Sequence, residues 1–143
     1  MNNTPKDAEL WSEILFELRR IVTRGGCTEM LYLMSNLSYL TGVNDRLSPL
    51  DQGAQIEAAL RHWIGRWTGS IQIERFGKVL TEDECKEAWL INLGLINPYG
   101  LLNERRLQAT KALGLTYPPG TWRKLLYEGK FFEVLARFIV KIA

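Results

Sequence analysis

The chain is poor in the residues that carry most catalytic and metal chemistry, with one histidine and two cysteines in 143 residues. Cys27 and Cys85 form no Cys-x-x-Cys pair, which argues against a disulfide framework or a zinc knuckle and leaves reduced, structural thiols as the expectation. His62 stands between Arg61 and Trp63, one turn from Arg66. Those cations disfavour its protonated form and no Ser or Cys can be assigned to it, so it reads as a half-exposed helix residue, not a general base. A glycine-rich phosphate loop is lacking as well. Arg24-Gly25-Gly26 and Gly65-Arg66-Trp67-Thr68-Gly69 have neither the Lys-Ser/Thr ending nor a preceding strand, and read as helix stops. No apolar run approaches the roughly 20 residues of a spanning helix, and the start is not of the basic-then-apolar secretory kind. The expectations are therefore no catalytic residue, no cofactor, no metal, no membrane association and a cytoplasmic location. The sequon Asn36-Leu37-Ser38 carries no weight without secretion.

What is present is an ordinary globular composition, 46% hydrophobic and 24% charged, which argues against disorder. The charge is unevenly placed. Residues 101–143 hold eight Lys or Arg against three acids, a balance of +5, whereas residues 1–100 hold ten against thirteen. The net +2 of the whole chain hides this asymmetry, which concerns partners more than fold.

Helix signals dominate. Thr4-Pro5-Lys6-Asp7 and Ser48-Pro49-Leu50-Asp51 each place a capping hydroxyl, a proline at the first helical position and an early carboxylate. Thr81-Glu82-Asp83-Glu84 spells a capping box. Three-and-four spacing of apolar residues predicts a first helix over about 5–24, with Glu9, Glu13 and Glu17 on its solvated side and Glu17 within reach of Arg20. A second helix, about 28–41, is apolar nearly all round. Further helices are expected over about 49–68, 82–92, 103–113 (capped by Asn103 and stopped by Gly114) and 120–129, and from about 130 to the end. In the last, Glu133, Arg137 and Lys141 form a narrow polar ridge. Residues 70–80 stay ambiguous: Ile71 and Ile73 alternate like a strand, whereas Ile73, Phe76 and Leu80 fit a helix. The sum is an all-α, single-domain bundle of six or seven helices with a short strand pair or irregular segment near 70–80. Its helices divide into an N-terminal layer of about 4–69 and a basic C-terminal subdomain of about 81–143.

One segment resembles the outline of a helix-turn-helix. Gln108-Ala109-Thr110-Lys111-Ala112-Leu113-Gly114-Leu115-Thr116 puts the small Thr110 one turn before a glycine, and Trp122 or Leu125 is the candidate inner anchor. The resemblance implies DNA contacts through Arg105, Arg106 and Lys111 as phosphate clamps, with Arg123 and Lys124 near the groove. Pro118-Pro119-Gly120 lengthens the turn, however, and Gly120 stands where such a unit has a buried aliphatic residue. The rival expectation draws on apolar excess: a bundle of this size comfortably hides one all-round apolar helix, not two. It makes Phe131, Leu135, Phe138 and Ile142 of the last helix a contact for another protein or for a second copy of the chain. The sequence thus favours a small non-enzymatic binding protein, an adaptor or inhibitor of a larger complex, with a DNA-binding regulator as the alternative. The same five bases would serve an acidic protein partner.

Overall fold

A computed structural model describes residues 5–26, 28–72, 77–97 and 100–143. The Thr4 cap, the Cys27 thiol, Ile73 and Phe76 of the ambiguous segment, and Pro98 of the turn before residue 100 lie outside the described residues, as do the side chains of Asp7 and Leu125.

Where hydroxyl caps occur within the described residues, they begin helices. The Ser48 hydroxyl accepts the Asp51 N–H at 3.2 Å, opening the helix α4, Pro49–Arg66. At α5, Glu82–Asn92, Thr81 Oγ1 accepts the Glu84 N–H while the Glu84 carboxylate accepts the Thr81 N–H at 2.9 Å, completing the capping box. Ahead of these lie α1 (Pro5–Arg24), α2 (Thr28–Leu31) and α3 (Ser35–Thr41). After them come α6 (Leu102–Ala112), α7 (Pro119–Trp122), a π-helical turn (Leu125–Gly129) and α8 (Lys130–Ile142). The ambiguous segment supplies a two-stranded antiparallel ribbon, β1 (Ile71–Gln72) with β2 (Val79–Leu80), in which Ile71 faces Leu80. The mostly helical single domain agrees with the sequence expectation.

Four local expectations are corrected. The predicted helix 28–41 is two, because the chain turns at 32–34 and α3 starts afresh. Glu17 makes that restart favourable. Its carboxylate is not solvated and is not paired with Arg20; it is 5% exposed and accepts the N–H groups of Asn36 and Leu37, each at 2.9 Å. It thereby satisfies two of the orphan donors at the α3 start. Asn103 is not a cap, since α6 begins at Leu102 after Leu101 and has no side-chain cap. The expected helix over 120–129 is also two pieces, a four-residue α7 and the π-helical turn. The split of 28–41 explains why eight α-helices occur among the described residues instead of six or seven.

The core is one continuous cluster from Ile14 to Ile139. Packing crosses the expected boundary between N-terminal layer and C-terminal subdomain, because α1 lies along α8 and α4 also touches α8. An aromatic cluster stands at that meeting place: Trp89 stacks on Phe131 at 4.9 Å and meets Trp67 edge-on at 5.0 Å, while Trp122 tilts against Phe131 at 5.5 Å. Just past the C-terminal end of α5, the loop backbones close tightly. Gly94 has φ +77°, and a Cβ there would sit 2.9 Å from the Gly26 nitrogen, so this crossing requires glycine.

The polar start of α5 gives a pH signature. The Gly69 backbone N–H, then Lys86, hold the Glu82 carboxyl below its ordinary value of 4.5. The Thr81 N–H does the same for Glu84; burial opposes it, and Lys78 at 3.1 Å assists in the lowering direction. Folded values below the unfolded ones give stability that is complete above about pH 4.5 and is lost as the pH falls through the lowered values. Denaturant melts of Thr81→Ala are expected to show a loss of about 1 kcal/mol at neutral pH. Glu84→Gln is expected to be less stable than the wild type at pH 7 and to converge with it as the pH falls below 4.5 through the lowered value; parallel profiles would contradict the assignment.

Candidate interaction surface

Arg105 and Arg106, expected as surface phosphate clamps, point inward instead; they are 5% and 8% exposed. The reason is that each finds acceptors inside the fold. Glu128, carried on the π-helical turn, is 1% exposed and accepts a two-pronged contact from Arg106, Nε to Oε2 and Nη2 to Oε1, each at 3.0 Å. Asn92, the last residue of α5, donates from Nδ2 to Glu128 at 2.9 Å and accepts the Trp122 indole N–H on Oδ1 at 2.8 Å. Its backbone carbonyl, left open by the end of α5, accepts Arg105 Nη1 at 2.8 Å, and Arg105 Nε reaches the Gly100 carbonyl at 3.0 Å. Arg19 joins from α1, with Nη2 3.9 Å from Glu128 and 3.4 Å from the Arg123 carbonyl. One buried network therefore fixes the ends of α5 and α6, α7 and the π-helical turn to α1.

The other site residues divide between surface and core. Lys111, Arg123 and Lys124 are exposed. Gly114 ends the α6 turn with φ +70°, and Trp122 is buried as the inner anchor. The helix after the turn has only four residues, however, so Arg123 and Lys124 sit past its end and not on a recognition helix. Phe131 and Leu135, expected at an interface, are fully buried; Phe138 and Ile142 are half-buried and pack against the same core. The expectation that α8 offers these four residues to a partner is corrected: α1 covers the helix, and Trp11 of α1 lies 4.0 Å from the Arg137 guanidinium on its polar ridge. His62 is exposed on α4. The Cys85 thiol is buried, and burial, aided by the nearby Glu84 charge, pushes it up to about 12, which makes it a packing group and not a nucleophile.

One large exposed aromatic stands on α1, a position sequence reasoning did not select. Phe16 is 64% exposed and stands between two shallow depressions. The first, about 370 Å³, is shared with Ser12, Glu13, Arg20 and Leu33, the last 46% exposed. The second, about 380 Å³, lies among Phe16, Arg19, Arg20, Thr23 and Arg24. A separate groove of about 580 Å³ runs between α5 and α6 over Ile91, Ile96 and Leu107, with Asn97 and Gln108 at its edge. Among the described residues no group of three His, Cys, Asp or Glu side chains is arranged to hold a metal, and no helix is long and apolar enough to cross a membrane. No protein-family model matches the chain, and neither a curated protein nor a solved structure does.

The Phe16 face had a readable signal. Phe16 falls opposite the stripe Ile14, Leu18, Ile21 and Val22, where an apolar residue gains nothing from the core.

The buried ion pair makes a quantitative prediction. Arg106→Met leaves Glu128 without its main counter-charge and is expected to cost about 3–5 kcal/mol in denaturant unfolding, as is Glu128→Met in the reverse sense. The double variant is expected to cost much less than the two together. Additive costs would mean that the two groups do not depend on each other.

Proposed function

We propose that the protein is a small non-enzymatic binding module, an adaptor or inhibitor that works by contact with another protein. The observation that supports this reading is the Phe16 ridge on α1, with Leu33 beside it and a depression on either side. A large apolar side chain held in water and rimmed by polar groups contributes nothing to its own fold, and that is the composition of a contact anchor. Aromatic and Arg side chains, which meet here, are the types that carry most binding energy at protein interfaces. The contact is thus assigned to α1, in place of the α8 residues that the fold buries.

A second reading, a DNA-binding regulator, is favoured by three exposed bases, Lys111, Arg123 and Lys124, around the helix-turn-helix-like segment. Its weight is reduced by the loss of Arg105 and Arg106 to the interior, since duplex affinity rises with the number of phosphates neutralised. Salt separates the two readings: phosphate contacts weaken steeply between low and moderate salt, and an apolar anchor persists.

The test is partner capture with the wild type, with Phe16→Ser and with the triple charge reversal Lys111→Glu, Arg123→Glu, Lys124→Glu. Protein partners retained after nuclease treatment at moderate salt, and lost with Phe16→Ser alone, are the expected result. Because Phe16 is exposed, that variant is expected to unfold within about 0.5 kcal/mol of the wild type. Capture that ignores Phe16 and disappears with nuclease or with the triple reversal would replace this reading by the DNA one.

A further inference from the structure

Charge in the second depression beside Phe16 is one-sided, and this narrows the kind of partner. Arg19, Arg20 and Arg24 line the second depression together with Phe16 and Thr23, and no carboxylate is among its lining residues. The acids nearby are elsewhere or committed: Glu13 lies in the first depression, and the Glu17 carboxylate caps α3. No ion pair involves Arg20 or Arg24 among the described residues, whereas Arg19 stands 3.9 Å from Glu128. Arg19, which lines the depression, also belongs to the buried network. Arg106 and Arg19 share the single Glu128 carboxylate, and the nearby Arg105 is held by the carbonyls of Asn92 and Gly100.

We infer that this face docks an acidic segment of a partner protein, with an apolar side chain against Phe16 and carboxylates on Arg20 and Arg24. The inference rests on the reading above that α1 is the contact surface. The face extends from Ser12 to Arg24, which at 1.5 Å per residue is about 18 Å, the length of some three helical turns or a short extended peptide. Such a segment would fit its anchor in the depression beside Phe16 and set its acids along the Arg edge, where guanidinium groups give directed, two-pronged contacts. A nucleic acid would use the arginines but would leave the apolar ridge of Phe16 and Leu33 with only a stacking role.

The experiment is selection from a displayed library of random peptides against the full chain. The enriched sequences are then synthesised with a fluorophore and measured by anisotropy against wild type, Phe16→Ser, the pair Arg20→Glu and Arg24→Glu, and labelled single-stranded oligothymidine. Phe16 and Arg24 are exposed and Arg20 is half-buried, and unaltered melting midpoints check that the variants fold. Expected are peptides with net negative charge and an aromatic or leucine anchor, weakened at least about tenfold by Phe16→Ser and by the double charge reversal. Neutral or basic peptides that depend on Phe16 but ignore the charge reversal would overturn the acidic partner and leave the contact surface standing. Peptides indifferent to Phe16, or no enrichment at all, would overturn both. Oligothymidine bound through Arg20 and Arg24 more tightly than any selected peptide would overturn the protein partner in favour of nucleic acid.

Discussion

The C-terminal half of this fold depends on one carboxylate in the interior. Glu128 holds Arg106 by two parallel hydrogen bonds and Asn92 by a third, and Asn92 in turn holds Trp122 and Arg105. A buried charge is costly unless its lone pairs and its charge are both answered. That requirement constrains the ends of α5 and α6, α7 and the π-helical turn at once. The π-helical turn is a consequence as much as a cause, because such a wide turn re-aims the side chains that follow it and here accompanies the inward placement of Glu128. Hydrophobic burial alone would not choose this arrangement: the aromatic cluster around Phe131 is non-directional beside the fixed geometry of a guanidinium and a carboxylate.

Seen from the surface, the same network changes what the charge asymmetry means. The excess of base in the last third suggests an outward basic face, but Arg105 and Arg106 leave the surface and serve the interior. The outward cations that cluster around exposed apolar surface belong to α1 instead, at Arg20 and Arg24 beside Phe16. Arg19 links the two, reaching from α1 to Glu128 and to the Arg123 carbonyl.

Much of the fold was legible in the sequence where local chemistry decides it. The Ser48 and Thr81 caps, the glycine stop at Gly114, and the helical class follow from short-range hydrogen bonding and apolar period. What was not read were charged residues standing on apolar stripes. Glu17 shares the arc of Ile14, Leu18 and Ile21; Arg106 precedes Thr110 and Leu113 by one and two turns; Glu128 extends Phe132, Leu135 and Ile139 backwards by one turn. Glu17 and Arg106 were counted as surface because charge predicts exposure, and Glu128 was given no role. An ionisable residue on the buried stripe of one helix is instead a request for a partner on another. The pairing itself is tertiary, so the sequence marks the members without saying which joins which. The break at 32–34 was hidden for the same reason, since the acceptor for the α3 amides comes from α1. The Phe16 face needed only that its position off the core stripe be noticed.

The central claim is that Glu128 organises the C-terminal elements, and amide hydrogen exchange tests it residue by residue under native conditions. In Glu128→Gln, protection over residues 102–112 and 120–129 is expected to fall by about tenfold or more, while residues 49–66 of α4 keep the protection of the wild type. Unchanged protection in those two segments would contradict the account, as would a loss spread evenly through α4, because the network would then be a bystander to a core that holds itself.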